Sequence, residues 1–152
     1  MSEVRAIRYA DVLGAPNAAE LISGYAAECS VPMVGVINPQ VDIYSAMEQS
    51  GIARCFGVYD GKTLVGFSNV MHTMLPHYGV KVAATESLYI DKDYRRGGAG
   101  SRLMSAGECD ARESGCVSAL YSAPVNSRLA RVLFLSSDLY MNINHVFCRR
   151  LS

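Results

Sequence analysis

Residues 91–104 read Asp-Lys-Asp-Tyr-Arg-Arg-Gly-Gly-Ala-Gly-Ser-Arg-Leu-Met, a basic, glycine-rich turn that follows the apolar, β-prone run 87–90 and opens a predicted helix. The first N–H groups of a helix lack intrahelical acceptors, and the helix dipole adds partial positive charge there. Gly97, Gly98 and Gly100 leave room for an anion to approach those donors. The pattern predicts a phosphate-binding cradle; the alternative is a left-handed turn with solvated arginines.

Three glycine-rich phosphate motifs compete for this turn. A P-loop requires Gly-Lys-Ser/Thr, which is missing here, and the dinucleotide fingerprint would put Leu103 where a small residue is needed. The pattern R/Q-x-x-G-x-G/A fits Arg95-Arg-Gly-Gly98-Ala-Gly100. With this motif, the preceding Glu-Ser-Leu-Tyr-Ile-Asp at 86–91 and Asn126 further on, the chain resembles the GCN5-related N-acetyltransferase (GNAT) superfamily.

The resemblance implies that acetyl-CoA is the cosubstrate. Its pyrophosphate would lie on the turn, and its pantetheine arm in a gap where the strand before the turn bulges and splays from the next strand. The implied cofactor-binding residues are Leu88, Tyr89 and Ile90 through their main chain, then Arg95, Arg96, Gly97, Gly98, Ala99, Gly100 and Ser101, and finally Asn126. Asparagine is also a good helix N-cap, so Asn126 has that alternative role.

Glu86 is the predicted general base. By strand alternation it shares a face with Val82, Ala84, Leu88 and Ile90, so we expect a partly desolvated carboxylate in an apolar row. The resemblance also puts a proton-accepting glutamate at this position. The alternative is a structural glutamate paired with Lys81 or an arginine.

The general acid is less evident, because the family's tyrosine and Gly-Phe pair are missing near Phe134. Tyr140 is the nearest substitute, and Tyr121 is a second option that we interpret as a core residue. A thiol is acidic enough for water to protonate its thiolate, so catalysis does not require either tyrosine. His72 and His77 straddle Pro76 without an evident third ligand, which predicts no metal site and favours a place near the substrate.

The hydrophobic pattern predicts a mixed α/β fold and a single domain over residues 1–152. A strand at 4–9, helices near 18–29 and 39–50, and an antiparallel meander over 52–90 precede the turn. A helix to 115, a fifth strand at 117–123, a helix from 124 and a closing hairpin at 139–142 and 145–150 follow. The resemblance implies the GNAT fold, a mostly antiparallel sheet of six to seven strands, splayed between strands 4 and 5, with about four helices.

Composition limits the function classes. Half of the 152 residues are hydrophobic, 18% are charged and the formal net charge is zero, so nucleic acid and membrane are not predicted partners. The five scattered cysteines and the lack of a signal-peptide pattern predict a cytoplasmic protein. The predicted partner is an amine, either a small molecule or a protein, and the resemblance allows a homodimer.

The leading hypothesis is an acetyl-CoA-dependent N-acetyltransferase in which a primary amine attacks the thioester directly. One alternative keeps the fold and changes the acyl-CoA or makes the acceptor a hydroxyl. Another is a non-catalytic acyl-CoA sensor, which the missing tyrosine favours and the intact cradle with Glu86 opposes.

Overall fold

The computed structural model describes residues 2–151. Its five strands are β1 (Glu3–Ile7), β2 (Ala53–Asp60), β3 (Thr63–Leu75), β4 (Val80–Ile90) and β5 (Ala119–Tyr121). Its five α-helices are α1 (Tyr9–Leu13), α2 (Ala18–Cys29), α3 (Val41–Gln49), α4 (Ala99–Glu113) and α5 (Arg128–Leu135), and a short 3-10 turn spans Lys92–Tyr94.

The strands form one sheet in the order β1-β2-β3-β4-β5, with antiparallel neighbours except for the parallel pair β4 and β5. Alternating strand residues bury opposite faces of the sheet. On one face Phe56, Val70 and Ala83 pack with Ala99 and Leu103 of α4. On the other face, residues of β2, β3 and β4 pack with α1 and α2 in a cluster made of Tyr9, Val12, Leu21, Cys55, Leu64, Phe67 and Tyr89.

A β-bulge in β4 sets up the site. The register runs from Val70 opposite Thr85 to Asn69 opposite Ser87, so Glu86 has no residue opposite it on β3. Such an extra residue reverses the inward and outward alternation beyond it. Before the bulge Ala83 faces α4, whereas after it Leu88 and Ile90 do so and Tyr89 faces α1 and α2.

The mixed α/β fold is confirmed, and the antiparallel meander ends at Ile90, as predicted. The prediction of six to seven strands is wrong for the described residues, which form five. The expected hairpin at 139–142 and 145–150 has no strands. A two-stranded hairpin is marginal unless it joins a larger sheet, and the adjacent β5 has three residues of edge to offer.

One predicted helix start is also corrected. Helix α2 begins at Ala18 as predicted, and the side-chain amide of the preceding Asn17 donates to the Leu64 carbonyl at 2.8 Å. The last helix begins at Arg128, and its N-cap is Ser127, whose hydroxyl accepts from the Ala130 N–H at 3.1 Å. The N-cap role suggested for Asn126 is therefore wrong.

No helix in the described range 2–151 is both long and apolar enough to cross a membrane.

Candidate active site

The glycine-rich turn forms an open cradle at the start of α4. Gly97 and Gly98 have φ angles of +80° and +77°, the left-handed region that favours glycine. Gly98 is the N-cap of α4. Within residues 2–151, the main-chain N–H groups from Arg96 to Ser101 have no hydrogen-bond acceptor. These donors and the positive end of the helix dipole favour an anion.

The arginines around the cradle have different partners. Arg95 turns back toward the sheet, where its Nε donates to the Ile90 carbonyl at 2.8 Å and its Nη2 pairs with Glu28 at 2.7 Å. Arg102 donates to the Gly97 carbonyl at 2.7 Å and so braces the turn. Arg96 is exposed. Arg95 therefore stabilises the cradle, and Arg96 is the arginine that is free to approach a phosphate.

A gap opens between β4 and β5 beside the cradle. The two strands pair over three residues, ending at Thr85 opposite Tyr121. The Asp91 N–H donates to the Val65 carbonyl at 2.8 Å, toward β3. Because successive N–H groups of a strand point to opposite sides, those of Leu88 and Ile90 point into the gap, whereas that of Tyr89 points to β3. Leu88 and Ile90 fit the predicted main-chain role; the N–H of Tyr89 does not.

Glu86 lies at the bulge and faces a cavity of about 360 Å³ between the sheet, α3 and the loop before α3. It is exposed, and the bulge places Leu88 and Ile90 on the opposite face. The expectation of a partly desolvated carboxylate in an apolar row is thus wrong. The suggested pairing with Lys81 is also wrong, because that ammonium donates to the Ser114 carbonyl at 3.0 Å.

Tyr44 is the partner of Glu86 instead. Its hydroxyl donates to the Glu86 Oε1 at 3.0 Å, and its ring stacks on Tyr9 with the ring centroids 4.0 Å apart. Burial, followed by the negative charge of Glu86, raises the pKa of Tyr9, Tyr25 and Tyr44 well above the usual range. These phenols therefore stay neutral around the carboxylate.

Tyr140 and Tyr121 meet at a second carboxylate. Both hydroxyls donate to the Glu108 Oε1, at 2.9 Å and 2.7 Å respectively, and the rings pack edge to face. Burial and this hydrogen bond to Glu108 raise the pKa of Tyr140 to about 12. Tyr121 and Glu108 line the same crevice as Leu88, so the tyrosine pair lies at the gap. Tyr140 is a protonated hydroxyl there, as a general acid must be.

Asn126 and the loop before α3 add little to the description of the site. Asn126 is exposed, with a φ of +63°, in the loop between β5 and α5. Ile37 and Asn38 line the cavity, whereas Val34 and Val36 of the same loop are exposed.

His72 is buried on the α4 face, 3.3 Å from Asp110, so its expected place near the substrate is wrong.

Sequence reasoning missed Tyr44, Glu108 and the pair formed by Asn69 and Ser87, whose side chains hydrogen-bond at 2.9 Å beside the bulge. Tyr44 and Glu86 are 42 residues apart. Spacing patterns relate residues within one element or between neighbouring elements, so they do not reveal this pair. Only a method that predicts long-range contacts could have found it.

Comparisons with known sequences and structures identify the family and the fold. The profile described as the acetyltransferase (GNAT) family matches residues 28–134. The chain therefore belongs to the GNAT family and is an acyltransferase. A comparison with curated protein sequences finds no match.

Solved structures with the same fold cover nearly the whole chain at low sequence identity. A ribosomal-protein-alanine N-acetyltransferase from Brucella melitensis biovar Abortus 2308 is 19% identical, with 98% of this chain and 99% of that chain covered and a TM-score of 0.72. An aminoglycoside acetyltransferase from an uncultured soil metagenomic sample is 15% identical, with 97% and 95% covered and a TM-score of 0.72. A glucosamine-6-phosphate N-acetyltransferase from Arabidopsis thaliana is 10% identical, with 100% and 99% covered and a TM-score of 0.70.

Proposed function

We propose that the chain transfers an acetyl group from acetyl-CoA to a primary amine by direct attack on the thioester. The observation that carries this proposal is the alignment of three features along β4: the cradle, the gap and the carboxylate of Glu86. The cradle amides would hold the pyrophosphate. The N–H groups of Leu88 and Ile90 that point into the gap would bind the pantetheine arm, as they would bind an added strand.

Glu86 would remove the proton that blocks the amine. An amine with a pKa near 10 is mostly protonated at neutral pH, and exposing its lone pair costs about 4 kcal/mol. Glu86 takes this proton directly or through water, and the amine nitrogen then bonds to the thioester carbonyl carbon. The Leu88 N–H supports the oxyanion that develops as the carbonyl double bond opens.

Collapse of the tetrahedral intermediate breaks the carbon–sulfur bond and releases a thiolate, while the nitrogen loses its remaining extra proton to water and Glu86 returns its proton to solvent. Tyr140, whose hydroxyl donates to Glu108 at 2.9 Å, would turn that O–H toward the sulfur, protonate it and be reprotonated from solvent. The products are an amide and coenzyme A. The unpaired state of all five cysteines fits a reducing compartment, and on that ground we place the enzyme in the cytoplasm.

A thiol-release assay over an amine panel tests the proposal. Glu86→Gln is expected to lower kcat by about 100-fold with little change in acetyl-CoA affinity, because the amide cannot accept the proton. Asp42→Asn is the matched control, since Asp42 is an exposed carboxylate on α3 outside the cavity lining. Equal kcat in wild type and Glu86→Gln would remove Glu86 from this role. Acetyl-CoA binding without thiol release for any amine would favour the sensor hypothesis.

A further inference from the structure

We propose that the acceptor is a small amine with one positive charge and an apolar body, bound with its ammonium group against Glu86. This inference rests on the proposed function and names its substrate class. It is drawn from the lining of the cavity at the β4 bulge, whose volume of about 360 Å³ suits a small molecule.

Charge is the first argument. Among the described residues that line the cavity, Glu86 is the one that carries a charge. A single carboxylate can neutralise a single ammonium. A polyamine or an aminoglycoside would bring further ammonium groups for which the lining offers no counter-charge, so they would gain no ion pair from the cavity. A phosphorylated amino sugar would bring an anion toward Glu86, and no lining lysine or arginine would meet it.

The hydrogen bonding of Glu86 supports the same assignment. Tyr44 occupies the Oε1 atom at 3.0 Å, and no described residue contacts the Oε2 atom within hydrogen-bond distance. Oε2 is therefore available to an ammonium donor. The Tyr44 hydroxyl also limits rotation of the carboxylate, which makes Tyr44 a positioning residue for this contact.

The rest of the lining is suited to an apolar body. It includes the rings of Tyr9, Tyr25 and Tyr44 and the flexible side chains of Met47 and Met71. The phenols are neutral, so they add no competing charge, and aromatic rings attract cations as well as apolar groups. Methionine adapts its shape to the ligand it contacts. Such walls favour an arylalkyl or alkyl amine.

Binding and turnover with defined probes test this inference. In the thiol-release assay, we expect kcat/KM for phenethylamine to exceed that for spermidine and for glucosamine 6-phosphate by at least about 10-fold, or about 1.4 kcal/mol. In calorimetry without acetyl-CoA, where no transfer can occur, phenethylamine should bind wild type and Asp42→Asn equally. It should bind Glu86→Gln at least about 10-fold more weakly, and 2-phenylethanol should show no such dependence on Glu86.

The outcomes separate this inference from the proposed function. Fastest thiol release with spermidine, glucosamine 6-phosphate or an N-terminal peptide would overturn the substrate class and leave N-acetyl transfer standing. Equal binding of the phenethylamine cation to wild type and Glu86→Gln would also overturn it. Binding of that cation that depends on Glu86, without thiol release from any amine, would support the cation site and contradict the proposed transfer.

Discussion

Glu86 owes its position to the β-bulge in β4, where it is the extra residue with no residue opposite it on β3. Sequence alternation predicts a partly buried carboxylate in an apolar row, but the bulge turns Leu88 and Ile90 to the other face and leaves Glu86 exposed beside Tyr44. An exposed carboxylate can be reached by an amine directly or through a bridging water. Its reactivity then depends on orientation, and a hydrogen bond from Tyr44 supplies that orientation.

Removing that hydrogen bond should affect catalysis more than stability. We expect Tyr44→Phe to lower kcat by about 3- to 10-fold, since a hydrogen bond to a charged group contributes about 1.5–3 kcal/mol and part of it is regained from water. The KM for acetyl-CoA should be unchanged.

Steady-state kinetics and a thermal melt of the variant measure both effects. An unchanged kcat together with a lower melting temperature would mean that Tyr44 acts by packing against Tyr9 alone.

His72 makes stability depend on pH. Burial lowers the pKa of its imidazole below the ordinary value, and Asp110, 3.3 Å away, offsets this in part. As pH falls through about 6.5, the unfolded chain takes up a proton that the folded chain resists. This contribution to stability is therefore present above that pH and is lost below it.

Urea unfolding at several pH values between about 5 and 7.5 tests this effect. We expect the free energy of unfolding to decrease toward acid in wild type and in His77→Gln, whose histidine is exposed. The decrease should be smaller in His72→Gln. Equal slopes in wild type and His72→Gln would contradict this account of His72.

At the scale of elements, the cradle and the β4–β5 gap belong together. β4 provides the N–H groups of Leu88 and Ile90, which point into the gap. The turn that follows provides the main-chain N–H groups at the start of α4 that have no acceptor among the described residues. The sequence predicts the turn, because consecutive glycines directly before a helix favour a left-handed backbone. It does not predict the bulge, because a bulge depends on the register with β3.

Bulk and negative charge in the cradle should abolish binding of acetyl-CoA. We expect Gly98→Glu to weaken it by at least about 100-fold in calorimetry, because a carboxylate would replace the phosphate at the amides. Gly61→Glu is the matched control, since Gly61 also has a positive φ, +59°, with open space around it. Both variants should lose a similar stability of about 1–2 kcal/mol from left-handed backbone. Equal acetyl-CoA affinity in the two variants would refute the cradle assignment.

For the whole molecule, sequence patterning predicts the meander and the order of the elements up to α4, except for α1, which begins at Tyr9 where the first strand was predicted to end. These parts have strong periodicity and definite turn residues. The chain after β5 is predicted less well. The pattern of its apolar residues does not determine which part of the protein they pack against. Val146 and Phe147 are 89% and 91% exposed where a hairpin was expected. The contact of Tyr140 with Glu108 likewise follows from tertiary packing, which brings together residues 32 positions apart.

The most direct measurement is a coenzyme A titration followed by the amide resonances of the uniformly ¹⁵N-labelled chain. If the amides from Arg96 to Ser101 bind the pyrophosphate and Leu88 faces the pantetheine, their resonances should shift together with one dissociation constant. The amides of Gly61 and Gly79, in the two hairpin turns, should not move. Unshifted cradle resonances under saturating coenzyme A, or shifts confined to another surface, would contradict the account.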